Sequence, residues 1–241
     1  GEQVLVAKMN ELLGNMGGTV DFAEASLQRQ GNEQEVQALI ADMSRGNVST
    51  VLVVGANPAF DLPNAGQFSE AFAKCGTRIF LGESPNETAM ACTHVAPTHH
   101  YLESWGDAEP KQGHFSLIQP TIHPLFDTRE TGMSLLTWAG SANLKNNSDQ
   151  PYYEYVKQTW SNNLFGQQTS FGSFQAFWDD ALHNGVFEAP QAEGGAVFSE
   201  AVNLGGIRVS QPSSDAGEEI SFFETVNMGA GEYATNPWLM E

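Results

Sequence analysis

Residues 51–105 read VLVVGANPAFDLPNAGQFSEAFAKCGTRIFLGESPNETAMACTHVAPTHHYLESW, and this stretch decides the fold. Thr50-Val51-Leu52-Val53-Val54 is a near-continuous β-branched and apolar run, as expected of a strand covered on both faces. Asn64 to Cys75 predicts a helix that puts Phe68, Ala71, Phe72 and Cys75 on one side, with Gly76 as its stop. Arg78-Ile79-Phe80-Leu81 is a second strand. Asn86 can cap a short helix running to Cys92, and His94-Val95-Ala96 is a third strand ended by Pro97. Strands alternating with helices at these lengths imply right-handed parallel crossovers. The predicted class is α/β: a parallel-sheet, Rossmann-like core, with an additional mostly helical portion.

Upstream, Leu5, Met9, Leu12, Leu13 and Met16 give Val4 to Met16 an amphipathic spacing, ended by Gly14, Gly17 and Gly18. Asn32-Glu33-Gln34-Glu35 has the capping-box pattern. It opens a helix carrying Val36, Leu39, Ile40 and Met43, closed near Gly46. Downstream, 104–124 reads as irregular and turn-rich except for Phe115-Ser116-Leu117-Ile118. A helix follows around Met133 to Ala139, then a polar linker over 141–151. Two aromatic helices come next: one with Tyr152, Tyr155, Val156 and Trp160, the other with Phe174, Phe177, Trp178 and Leu182, stopping at Gly185. Aromatic stripes at this spacing are read as core. Residues 189–217 are rich in Gly, Ala and Ser, and Ile220 to Val226 is a late strand. The predicted division is a core over 1–140 and a helical and irregular extension over 141–241 that packs on it.

Composition narrows the function classes. Ten basic against 29 acidic residues leave a net charge of -19. Such a field repels nucleic acid and anionic lipid and suits a basic partner. The two cysteines, Cys75 and Cys92, form no CxxC pair and are too few for an iron–sulfur or structural zinc site. Cys75 falls in the apolar register of its helix and reads as core; a Cys75–Cys92 disulfide is the other option. No signal peptide and no run of 18 apolar residues is visible. Both ends read as cuts inside a longer protein.

The strand-end loop Gly55-Ala56-Asn57-Pro58-Ala59-Phe60-Asp61-Leu62-Pro63 is where a doubly wound sheet binds ligands. A dinucleotide loop needs closely spaced glycines whose N–H groups reach a diphosphate. Here there is one glycine, two prolines and an added carboxylate, so a rigid turn is the competing reading. Glu83 closes the second strand, where an acidic side chain can accept from ribose hydroxyls. Glu87, in the first turn of a helix, is explained by the helix dipole. His94, His99, His100, His114 and His123 cluster in sequence near Glu103, Asp107 and Glu109, but not at a helix-borne metal spacing. Hydrogen-bonding side chains in an ordered loop are the plainer reading, and no metal site is assigned. Ser104 and Ser116 near histidines make no triad, and neither a Gly-x-Ser-x-Gly elbow nor a P-loop occurs.

Several segments resemble the molybdopterin oxidoreductase large-subunit superfamily: residues 4–21 with Leu13-Gly14-Asn15-Met16-Gly17, then Val54-Gly55-Ala56-Asn57-Pro58, Asn86-Glu87-Thr88-Ala89, Val95-Ala96-Pro97 and Glu103-Ser104-Trp105-Gly106. The resemblance is strongest over about 4–140 and implies a formate dehydrogenase/DMSO reductase domain-like core. Tyr101 to Pro110, Ser116 to Ile122 and Pro124 to Arg129 are more narrowly similar to the molybdopterin-oxidoreductase-like, iron–sulfur-carrying subunits of bacterial alternative complex III. That resemblance implies a respiratory quinol-oxidising complex at the periplasmic face of the cytoplasmic membrane. It implies as partners the iron–sulfur portion of the same polypeptide and membrane quinol-binding and cytochrome subunits, with no nucleic acid and no direct membrane insertion.

The superfamily uses molybdopterin guanine dinucleotide and iron–sulfur clusters. The narrower resemblance implies loss of the pterin cofactor and clusters in a separate portion, so none is expected in this chain. Gly55, Asn57 and Glu83 match cofactor-facing positions by type and are expected as vestigial binding residues. No catalytic residue is assigned. Asn236-Pro237-Trp238-Leu239-Met240-Glu241 resembles the point where superfamily chains enter their last, β-barrel-like domain. The expected role is a cofactor-free scaffold and interaction domain; the alternative is part of the pterin-dinucleotide cradle of an active molybdenum oxidoreductase.

Overall fold

The computed structural model describes residues 2–22, 24–28, 30–145 and 147–190, with short pieces at 204–206, 223, 226, 228–229, 231 and 236–239. They belong to two compact units, one spanning 21–195 and the other made of the two ends of the chain. The late strand expected at 220–226 falls almost wholly outside the described residues.

In the terminal unit, α1 spans Glu2–Leu12. It ends before Met16 because Gly14 turns the chain with φ 69°. Asn15 then folds back, its backbone N–H reaching Asn10 O at 2.9 Å and its side chain bonding Asn10 Oδ1 at 2.9 Å.

The central unit begins with α2, Glu33–Ser44. Asn32 Oδ1 accepts from Gln34 N at 3.0 Å and Glu35 N at 3.4 Å, which satisfies donors that a helix start otherwise leaves open. Gly46, with φ 77°, closes the helix as expected. Then follow β1 (Thr50–Val54), α3 (Pro58–Asp61), α4 (Ala65–Phe72), β2 (Thr77–Gly82), α5 (Glu87–Met90) and β3 (His94–Pro97). The three strands form one parallel sheet in the order β1-β2-β3. Its register runs from Thr50↔Thr77 to Val54↔Leu81, and from Ile79↔His94 to Gly82↔Pro97. The predicted stop at Gly76 comes one turn late. α4 ends at Phe72, and tighter turns (Lys74 N to Ala71 O, Cys75 N to Phe72 O) carry the chain on to β2.

The first core lies on one face of this sheet. Val53 and Phe80 pack with Ile40 and Met43 of α2, with Phe68, Ala71 and Phe72 of α4, and with Cys75 and Ala89. Cys75 is a core residue, and both cysteines are free thiols. Two-faced cover of β1 is not what the described residues show. Thr50, Leu52 and Val54 are exposed while Val53 is buried, a strict alternation. The exposure on this second face is confined to β1: Leu81, the register partner of Val54 on β2, is fully buried.

A short 3₁₀ turn (Tyr101–Glu103) leads into β4 (Gly106–Lys111) and β5 (His114–Ile118). These form a hairpin turned at Gly113, φ 78°. β6 (Val186–Glu188) adds to β5 antiparallel. The expectation that 104–114 is irregular is therefore corrected. Gly106-Asp107-Ala108-Glu109-Pro110-Lys111 has no β-branched residue, and its extended form comes from cross-strand pairing rather than from propensity.

On this second sheet pack α7 (Pro151–Asn163) and α8 (Phe174–Asn184); α6 is Thr131–Trp138. Trp160, Trp178, Phe177 and Val156 are buried together, as the stripes predict. Both buried indoles are satisfied: Trp160 Nε1 donates to Asp107 Oδ2 at 2.8 Å, and Trp178 Nε1 to the Tyr153 hydroxyl at 3.1 Å. No helix among the described residues is long and apolar enough to cross a membrane.

Candidate functional site

The sequence places its candidate ligand residues at the carboxyl ends of the parallel strands, and the structure puts them there. Gly55 follows β1 with φ 59°, a conformation that favours glycine, and its N–H donates to Leu81 O at 2.8 Å. Asn57 precedes Pro58, the first residue of α3, and both ends of its amide are engaged. Nδ2 donates to Glu87 Oε2 at 2.7 Å. Oδ1 accepts from Thr88 N at 3.1 Å and from Thr88 Oγ1 at 2.9 Å. Thr88, fully buried, then accepts from Ala59 N at 3.0 Å. Asn86 Oδ1 caps the same short helix through Ala89 N at 2.9 Å. This network locks the β1 loop to α5. Its bond from Asn57 holds the Glu87 carboxyl below the usual 4.5. Sequence reasoning missed Thr88; a hydroxyl three residues after an X-Pro turn carries no periodic signal.

Glu83 stands apart from this network. It is exposed at the end of β2, and its Oε2 is 3.9 Å from His100 Nε2. As a diphosphate cradle the loop is badly furnished. The Gly55 N–H is spent on the sheet, Pro58 has none, and Asp61, Glu83 and Glu87 bring three carboxylates to the strand ends. The residues present do not fit a dinucleotide phosphate.

The histidines disperse into local bonds. His94 Nδ1 is 2.9 Å from Thr93 Oγ1, His99 Nδ1 2.5 Å from Thr128 Oγ1, and His114 Nδ1 2.5 Å from Glu188 Oε1. His100 Nδ1 accepts from Leu102 N at 3.3 Å. Among the described residues no three His, Cys, Asp or Glu side chains gather to hold a metal ion. Burial pushes the Cys75 and Cys92 thiols up, which leaves neither a ready thiolate.

Beyond the third strand lies a pocket of about 560 Å³ that the sequence did not disclose. Glu103 builds one wall. It is buried, with Oε2 accepting from His100 N at 3.1 Å and Oε1 from Leu125 N at 3.0 Å. Those backbone donors, Leu125 first, keep its carboxyl below 4.5. Glu130, at the start of α6, accepts from Trp105 N at 3.1 Å through Oε1. Burial pushes its carboxyl above 4.5. Trp105 and Tyr153 make an aromatic corner, with centroids 4.7 Å apart at 51°. Tyr152 completes it. The pairing of Glu103 with His100 closes within a single 3₁₀ turn, whereas the convergence of Glu130 and Tyr152 depends on how α6 meets α7.

No family model matches the chain. A curated protein, the menaquinone reductase molybdopterin-binding-like subunit of Nitratidesulfovibrio vulgaris, is 34% identical over 98 residues. That match covers 39% of this chain and 14% of the relative, so the chain corresponds to a small part of the relative's length. The similarity supports a molybdopterin-oxidoreductase-like relationship and says nothing finer.

Proposed function

We propose that this chain is a scaffold and interaction domain, derived from a molybdopterin oxidoreductase, in a quinone-linked electron-transfer complex at a membrane. The observation that carries the reading is the Asn57–Glu87–Thr88 network. It spends on internal bonds the side chain best placed to meet a nucleotide, and it brings a carboxylate to the place where a phosphate would lie. The relative named for a menaquinone reductase supports the quinone link. The motifs from Tyr101 to Arg129 support the finer assignment to the iron–sulfur subunit of alternative complex III. On that assignment the partners are the cluster-bearing portion of the same polypeptide and membrane quinol-binding and cytochrome subunits, on the periplasmic side. The bare face of β1, with Leu52 and Val54, supplies an attachment surface.

Guanosine diphosphate is a direct probe of the strand-end loop. Calorimetry on the full chain is expected to give no saturable binding at millimolar nucleotide. Micromolar binding that is lost in Asn57→Ala would overturn the scaffold reading and revive the cofactor cradle. Molybdenum found by elemental analysis of the intact subunit would do the same.

A further inference from the structure

The pocket beside Trp105 has no part in the scaffold reading, and its contents ask for a specific chemistry. We propose that it is an anchor site for an arginine side chain presented by a basic, apolar segment of a partner polypeptide. The inference stands on the pocket alone and does not need the family assignment.

Three features select the guanidinium. The Trp105–Tyr153 corner offers aromatic surface to the pocket, and because Lys157 Nζ already lies 5.9 Å from the Tyr153 ring centroid, Trp105 is the ring left for a further cation. The pocket carries an acceptor with spare capacity. Glu130 uses Oε1 on the Trp105 backbone, and among the described residues Oε2 has no partner. Glu103 differs, because both its oxygens are committed to backbone donors. The local field is negative. Asp149 and Glu130 line the pocket; burial first, and then the nearby Asp107 and Glu130 carboxylates, push the Tyr152 hydroxyl up. An anion is repelled there, and a neutral apolar group leaves a carboxylate unpaired. A planar cation stacks on the ring and bonds the carboxylate, which an ammonium does less well.

The rim argues for a polypeptide rather than a free small cation. Thr121 N and Ile122 N bond Leu102 O at 2.8 and 3.1 Å, and Leu125 N bonds Glu103, so the loop over 121–125 is pinned down. Yet it holds Ile122 and Leu125 out to solvent at 44% and 71% exposure, and Phe126 directly after it is 78% exposed. An exposed Ile122 in the wall of an acidic, aromatic pocket, with Leu125 and Phe126 exposed next along the chain, suits an anchor with apolar neighbours. A net charge of -19 favours encounter with a basic partner.

The test uses the full chain with the peptide acetyl-Leu-Arg-Leu-amide and its citrulline counterpart, which keeps the shape and loses the charge. In NMR titrations the arginine peptide should bind saturably and move the Trp105 indole signal, with citrulline at least tenfold weaker. Glu130→Gln keeps an acceptor for Trp105 N–H and should cost the arginine peptide a similar factor. Ile122→Ser, at an exposed position in the pocket wall, should weaken both peptides and keeps the test alive if the first variant does not fold. Wild-type affinity should rise with pH as Glu130 ionises, and this rise should vanish in Glu130→Gln. His99, Glu103, Asp107, His123, Asp149, Tyr152 and Tyr153 are the other titratable groups around the pocket, with Lys157 over the Tyr153 ring. A pH rise that survives Glu130→Gln overturns the role of Glu130. Equal binding of arginine and citrulline, or no binding by the arginine peptide at millimolar concentration, overturns the site.

Discussion

Asn57 Oδ1 accepts from both the N–H and the hydroxyl of Thr88, while Nδ2 reaches Glu87. Replacing it with alanine removes two bonds to a buried threonine, at about 1 kcal/mol each. The Glu87 carboxyl should then move up toward 4.5, because the Asn57 amide is the chief cause of its lowering. Urea denaturation and carboxyl NMR titration of Asn57→Ala check the two effects separately. The carboxylates also set opposite pH trends. Glu87 and Glu103 lie below 4.5 in the folded protein, so the stability they contribute is complete above 4.5 and is lost as pH falls through their lowered values. Glu130 lies above 4.5: the folded protein holds its proton more tightly than the unfolded chain, so that contribution is present below 4.5 and is lost as pH rises through the raised value. Thermal midpoints measured from acid to neutral pH should therefore gain less from rising pH in Glu103→Gln than in wild type. They should gain more in Glu130→Gln.

Two glycines on helices separate crowding from backbone freedom at the level of the element. A Cβ at Gly132 in α6 would overlap the Tyr152 ring and hydroxyl on α7, so one helix or the ring must shift. Gly132→Ala should cost about 1–3 kcal/mol, as overpacking does. A Cβ at Gly66 in α4 meets nothing within 4 Å. Gly66→Ala should stabilise by roughly 0.5–1 kcal/mol through helix propensity alone. Denaturant midpoints of the two variants should move in opposite directions. The same contrast explains what was legible in the sequence. α2, α4, α7, α8 and the three parallel strands follow from periodicity and caps, because those signals are local. β4 has polar, proline-containing wording and becomes a strand only through β5, so no local pattern announces it. The placement of Gly55, Asn57 and Glu83 at strand ends follows from the βα order, while their expected part in cofactor binding came from the family resemblance. The pocket was not legible, because Glu130 and Tyr152 are brought together by the packing of α6 on α7 and share no sequence spacing.

The bare face of β1 gives the scaffold reading its whole-molecule test. Parallel sheets are ordinarily covered on both faces, yet β1 leaves Leu52 and Val54 at 45% and 48% exposure while neighbouring Val53 is at 7%. In the chain by itself, Leu52→Thr and Val54→Thr act at half-exposed positions and should each cost about 1 kcal/mol or less. Val53→Thr puts a hydroxyl among Ile40, Phe68 and Phe72 and should cost about 1–3 kcal/mol. If the bare face is an attachment surface, the order reverses in the assembled complex. There the Leu52→Thr, Val54→Thr double variant should lower co-purification of the partner subunits, while the chain itself stays folded. A stability loss at Val54 as large as that at Val53 would mean that this face is covered within the chain itself. Full assembly with the double variant would mean that the attachment lies elsewhere.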